Sequence, residues 1–96
     1  MLHALYKKYQ QETFFIVTNH GEQVYQAISK ATNHGATILD GEGPYEHTER
    51  QVVYSVVSSA ESKKVRKAVK EADPNAFINV VKTERLFGHF YYKPND

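Results

Sequence analysis

The sequence predicts an α+β fold of the ferredoxin-like kind, a β-α-β-β-α-β chain closing as a four-stranded antiparallel sheet with two helices on one face. Three observations carry this. Short runs of β-branched and aromatic residues alternate with segments whose apolar residues recur at i, i+3, i+4 and i+7. Apart from one longer loop, a few turn-forming residues separate these segments, which leaves short connections. Right-handed crossovers and short connections then make this closure the natural one. At 96 residues the chain holds a single domain, because two halves would each be too small to bury an adequate core.

Met1–Glu12 places Leu2, Leu5, Tyr6 and Tyr9 at helical spacing among polar residues and reads as an N-terminal connector. The domain proper is expected over 13–92, with 93–96 a polar tail. Thr13–Thr18 (Thr-Phe-Phe-Ile-Val-Thr) has almost no polar alternation, the pattern of a central strand apolar on both faces. Asn19 is the expected cap of the first helix, with Glu22 at the capping-box position. Val24, Ala27, Ile28 and Ala31 form its apolar stripe, Gly35 is its expected stop, and the helix is predicted over about Glu22–Asn33. Ala36–Leu39 is the second strand and Gln51–Val57 the core of the third. Ser58 and Glu61 are the expected capping box of the second helix. In that helix Val65, Ala68, Val69 and Ala72 form the apolar stripe, while Lys63, Lys64, Arg66, Lys67 and Lys70 crowd the opposite arc. Asp73-Pro74-Asn75 ends it, and Phe77–Lys82 is the fourth strand. Phe87, Phe90, Tyr91 and Tyr92 in the tail are expected to be covered by core or by a subunit interface.

Composition narrows the functions. With 41% hydrophobic and 24% charged residues the chain is an ordinary globular domain, and a net charge of +1 gives no field for nucleic acid. No aromatic-plus-basic strand motif of the RNA-binding type appears, so nucleic acid is not expected as a partner. Cysteine is absent, which excludes a disulfide framework and a cysteine nucleophile and fits a reducing compartment. The apolar runs are far shorter than a membrane span and the N-terminus lacks the apolar core of a signal peptide, so the chain by itself is expected to be soluble.

The most informative connection is predicted between the second and third strands. Gly41–Glu49 contains Gly41, Gly43 and Pro44, Tyr45 and His47, and the carboxylates Glu42, Glu46 and Glu49. It is longer than a tight hairpin needs, and such loops are commonly kept for binding. The predicted topology brings it to the same end of the sheet as Asn19–Gly21 and Asp73–Ala76, with Gly35 and Ser58 at the other end. Gly41, Glu42, Gly43, Tyr45, Arg50, Asp73 and Asn75 are therefore the candidate ligand-binding residues, and Arg50, Lys82 and Arg85 the candidate partners for an anion. A purely structural loop is the competing reading. The glycines lie between strands and do not open a helix, so they form neither a P-loop nor a dinucleotide fingerprint. No pair among the 5 histidines has i, i+3 or i+4 spacing, and no metal or cofactor is expected. Asp40, Glu42, Glu46 and Glu49 come with no nucleophile and read as solvated carboxylates, so no catalytic residue is assigned. The uncovered sheet face, apolar at Phe15, Val17, Val52, Tyr54 and Val56, is expected to mediate self-association as a dimer or trimer. The basic arc of the second helix reads as a solvated face, or as a contact for an anionic leaflet.

Gly35-Ala-Thr-Ile-Leu-Asp-Gly-Glu-Gly-Pro-Tyr45, followed by Arg50-Gln-Val-Val-Tyr54 and Asp73-Pro-Asn-Ala-Phe-Ile78, resembles the soluble C-terminal domain, of unknown function, of the YitT family of bacterial membrane proteins. The likeness runs from about Thr13 to Phe90. It implies a cytoplasmic regulatory module that follows a bundle of membrane helices, with the membrane part of the parent protein as a partner and Met1–Glu12 as connector. It also implies a fold similar to PII-like signalling proteins, ferredoxin-like trimers in which the loops corresponding to Gly41–Glu49 and Asp73–Ala76 frame a nucleotide cleft. Here Asp73-Pro-Asn-Ala76 stands where true PII proteins carry a basic phosphate-binding cluster. The resulting expectation is a non-enzymatic sensor of a small anionic ligand or nucleotide, the alternative being an oligomerisation domain with no small ligand.

Overall fold

A computed structural model describes residues 10–42 and 49–88. The elements are β1 (Gln11–Thr18), α1 (Gly21–Ala31), β2 (Thr37–Glu42), β3 (Glu49–Ser58), a 3-10 turn (Ser59–Glu61), α2 (Ser62–Ala72) and β4 (Phe77–Thr83). The sheet order is β2-β3-β1-β4, and all neighbours are antiparallel. This is the expected α+β, ferredoxin-like arrangement.

Alternation along the central strands sorts the two faces. Phe14 and Ile16 of β1 and Val53 and Val57 of β3 meet Val24 and Ile28 of α1 and Val65 and Val69 of α2, and all eight are wholly buried. Burial of each such side chain stabilises by about 1.5–3 kcal/mol, so these strands and both helix stripes fix the register. Ser55 faces the same core and donates to the Gly35 carbonyl at 2.9 Å, which satisfies an otherwise costly buried hydroxyl.

Several boundaries differ from expectation. β1 begins at Gln11, because its edge pairs with Ser58 and Thr83 extend the ladder two residues beyond the apolar run. The first helix starts at Gly21 with His20 as cap residue, whose own side chain makes no cap bond. Asn19 is not that cap: the hydroxyl of Thr18 takes the His20 amide at 2.9 Å and Gln51 takes the Gly21 amide. The helix stops at Thr32, whose hydroxyl and amide both return to the Ile28 carbonyl, three residues before Gly35. Ser58 and Glu61 do not form a capping box. Their side chains bond one another at 3.0 Å across the 3-10 turn.

The connection between β2 and β3 is also shorter than expected. Gly41 pairs with Arg50 and Glu42 with Glu49, so both continue the hairpin ladder, and the connection comprises 43–48. Gly41 does not take positive φ; among the described glycines only Gly88 does. Gly43 and Tyr45 lie outside the described residues, as do Glu46, His47 and the tail aromatics Phe90, Tyr91 and Tyr92. Phe87 is described and is 87% exposed within this chain rather than covered by its core.

Candidate functional site

The expected convergence of loops at one rim holds for the described residues, and side chains tie it together. Thr18, at the end of β1, donates its hydroxyl to Asp73 Oδ2 while accepting the His20 amide. Asp73 Oδ1 takes the Asn75 amide at 3.0 Å, and the Asp73 carbonyl takes the Ala76 amide at 3.1 Å. This is an Asx turn, which sends the chain from α2 into β4. Lys70 reaches over the turn to the Ala76 carbonyl at 2.9 Å. On the other side, Gln51 accepts the Gly21 amide at 2.8 Å and donates to Asp40 Oδ1 at 3.4 Å, joining β3, α1 and β2.

Asp73 is the electrostatic centre of this rim. The Thr18 hydroxyl, ahead of the Asn75 amide and the charges of His20 and Lys70, holds its carboxyl below the usual carboxylate range, although burial acts the other way. Both of its oxygens thus serve the fold, and Asn75, exposed beside it, contributes its backbone amide. Arg50 is exposed at the start of β3, one ladder position from Gln51, on the open side of the sheet. Lys82 and Arg85 are not with it. β4 runs away from this rim from Phe77, and Lys82 pairs with Glu12 towards the opposite end, so these two cations cannot share an anion with Arg50. The backbone of Glu42 closes the described end of the hairpin.

Thr18 and Gln51 escaped the sequence reading. The available signal was their polarity at inward positions of otherwise apolar strands, which alternation places beside Ile16 and Val53. A second polar cluster, at the opposite rim, was missed as well. His34 Nε2 lies 2.8 Å from Glu61 Oε1, which also takes the Ser58 hydroxyl, and all three residues are buried. The His34 amide bonds the Thr32 hydroxyl at 3.0 Å. His34 and Ser58 thus share one oxygen of the glutamate.

The open face of the sheet is apolar in register. Leu39, Val52, Val17 and Phe77 form one row across all the strands. In the next row Phe15 and Tyr54 pack with ring centres 5.5 Å apart. Leu39 is 54% and Phe77 69% exposed, so no part of the described chain covers this face.

Comparison with known proteins agrees with this architecture. A family described as an uncharacterized protein conserved in bacteria, DUF2179, matches residues 34–88. The UPF0750 membrane protein YitT of Bacillus subtilis (strain 168) is 29% identical over 90 residues, which cover 94% of this chain and 32% of that protein. The chain therefore spans about a third of the length of this relative. Among solved structures, a DUF2179 protein from Eubacterium ventriosum is 32% identical, with a TM-score of 0.61 over 74% of this chain and 97% of that one. Arabidopsis thaliana PII bound to citrate superposes with a TM-score of 0.60 at 22% identity, covering 77% of each chain. CPII, a nitrogen regulatory PII-like protein from Thiomonas intermedia K12 bound to ADP, AMP and bicarbonate, gives 0.54 at 15% identity over 81% of this chain and 96% of that one. The last two likenesses concern the fold.

Proposed function

The chain belongs to the DUF2179 family, and from that premise we propose that it is a non-enzymatic regulatory domain of a YitT-type membrane protein, lying at the cytoplasmic face of the membrane. Its ligand is a small anion or nucleotide taken at the rim between the 41–49 and 73–76 segments. The observation that supports this reading is the hydrogen-bonded line from Asp40 through Gln51 to Gly21 and from Thr18 to Asp73, which gathers three separate connections at one edge. Arg50 stands exposed on the same edge as the described cation available to an anion there. A ligand that orders one arrangement of the 43–48 connection better than others shifts the population towards it, and that shift is the signal.

Domain boundaries follow the same reading: 1–12 joins the module to its membrane part, 13–92 folds, and 93–96 is a polar tail. The open sheet face supports a homo-oligomer, dimer or trimer, because a contiguous apolar row of this extent marks an interface. The same face favours the second reading, an oligomerisation domain that binds nothing small.

Thermal unfolding with ADP, AMP, citrate, phosphate and bicarbonate separates the two. A ligand at a hundred times its Kd stabilises the native state by about 2.7 kcal/mol, and each kcal/mol moves the midpoint by about 4–8 °C in a domain of this size. Such a rise that Arg50→Ala abolishes is the expected result. No rise with any of them, together with an oligomer by light scattering, would leave the assembly reading standing.

A further inference from the structure

We propose that the groove between α2 and β4 is a docking surface for the anionic leaflet of a phospholipid membrane. The groove is walled by Lys63, Arg66, Lys67 and Lys70 and floored by Ile78 and Val80, with Phe77 at its mouth. The cations recur at i, i+3, i+4 and i+7, so they form one stripe along α2. This stripe flanks the buried Val65–Val69 stripe on the side towards β4.

A merely solvating helix face mixes signs, as α1 does with Glu22 and Lys30. On α2 the remaining carboxylate, Glu71, is turned to the opposite side, into the groove shared with Glu22 and Lys30 of α1. Among the described residues Lys63, Arg66 and Lys67 form no ion pair, while Lys70 donates to the Ala76 carbonyl and acts on Asp73 through space. Like charges at i, i+4, as Lys63–Lys67 and Arg66–Lys70 are, destabilise an isolated helix. The arrangement therefore carries a local cost that an external polyanion removes.

The chemistry beside the cations selects the polyanion. Val80, 37% exposed, lies with Ile78 on the helix side of β4, and Phe77, 69% exposed, stands at the edge where the groove meets the open face, so the charged wall borders an apolar strip rather than a polar one. A bilayer presents the same two layers in the same order, phosphates above and glycerol and acyl carbons below. Lysine stems lie along such a boundary with their ammonium groups on the phosphates, and phenylalanine enters beneath them. A nucleic acid gives the cations phosphates but leaves Phe77 and Val80 in water. β4 is an edge strand of the sheet, so no strand among the described residues lies beside it on that side.

The test is co-sedimentation of the full chain with vesicles of equal parts phosphatidylglycerol and phosphatidylcholine, and with phosphatidylcholine vesicles alone. Binding to the first and not the second is expected, falling steeply with added salt. Each Lys or Arg near an anionic surface changes partitioning about fivefold, so Lys67→Glu should weaken it on the order of tenfold or more. Lys30→Glu makes the same change in net charge on α1 and should alter it by less than about twofold. Equal losses in the two variants would reduce the effect to net charge and overturn the proposal. So would displacement by soluble glycerol phosphate at matched phosphate concentration, which would mark a headgroup pocket, or binding to polyglutamate in place of vesicles. Unchanged circular dichroism and scattering mass in both variants exclude unfolding and altered assembly. The rim reading is untouched by any of these outcomes, since neither Lys30 nor Lys67 belongs to it.

Discussion

At the rim that gathers the ends of β1, β2 and α2, polar side chains are strung in a line, and Asp40, Asn75 and Arg50 at its margins remain exposed. At the opposite rim His34, Glu61 and Ser58 close into a knot from which solvent is excluded, and Glu61 Oε2 has no partner among the described residues. Both rims join a helix end to a strand end through carboxylate and hydroxyl. The difference is access. Glu61 and Asp73 are both turned inward and hold the fold, whereas Asp40, Arg50 and Asn75 leave the margin of the upper line open to solvent. The contrast gives the buried cluster a role in stability, and makes the open rim the place where the proposed ligand would bind.

The largest expected effect breaks the lower knot. His34→Leu removes the imidazole from a buried glutamate, and leaving a buried acceptor without its hydrogen-bond partner costs up to about 3 kcal/mol. Urea unfolding measures it. His34→Leu/Glu61→Leu should recover part of that loss, because the stranded carboxylate is then gone. Strictly additive losses would show that the two side chains are not coupled and would remove the lower rim from the comparison. Either way, any response to anions and nucleotides should not change.

The middle effect tests the upper line. Thr18→Val deletes the hydroxyl that donates to Asp73 and receives the His20 amide, and should cost about 1–2 kcal/mol at neutral pH. This loss depends on pH. The folded-state pKa of Asp73 lies below its unfolded value, chiefly through Thr18, so the stabilisation is whole above the unfolded value of 3.8 and disappears as pH falls through the folded one. The gap between the parent chain and Thr18→Val should therefore narrow as pH drops below about 4. A gap that stays constant down the acid limb would mean that Thr18 acts through packing and not through the carboxylate.

The order of elements was legible because apolar period changes cleanly between Thr13–Thr18, Val24–Ala31, Val52–Val57 and Val65–Ala72, and each stripe found the core it implied. The meeting of Asp73–Ala76 with Asn19–Gly21 followed from topology alone. The contacts that make that meeting specific were not legible. Nothing local marks Thr18 and Asp73 as partners 55 positions apart, or His34 and Glu61 as partners 27 apart. The capping signals misled for a related reason. Asn19 and the Ser58–Glu61 pair match helix-start patterns, but tertiary neighbours had already satisfied the amides those side chains would have capped, or drawn the side chains elsewhere. Gly41 misled in the same way, since a glycine beside a turn reads as loop until a cross-strand partner such as Arg50 is known.

The smallest effects come from a pair of glycines, one at each rim, and their value lies in sign. A methyl group on Gly21 would come within 2.5 Å of Gln51 Oε1, so the Gln51 side chain must swing away and release both the Gly21 amide and Asp40. Gly35 has nothing within 4 Å of the corresponding position and does not occupy the left-handed region. Replacing glycine by alanine narrows the unfolded ensemble and by itself stabilises by about 0.4–1 kcal/mol. Gly35→Ala should show that gain. In Gly21→Ala the lost hydrogen bond, worth about 0.5–1.5 kcal/mol, cancels or reverses it, and any ligand response at the upper rim should weaken with it. If both variants gain stability equally, Gln51 is not holding α1 to the hairpin, and the upper line divides into two unconnected contacts with no common edge for a ligand.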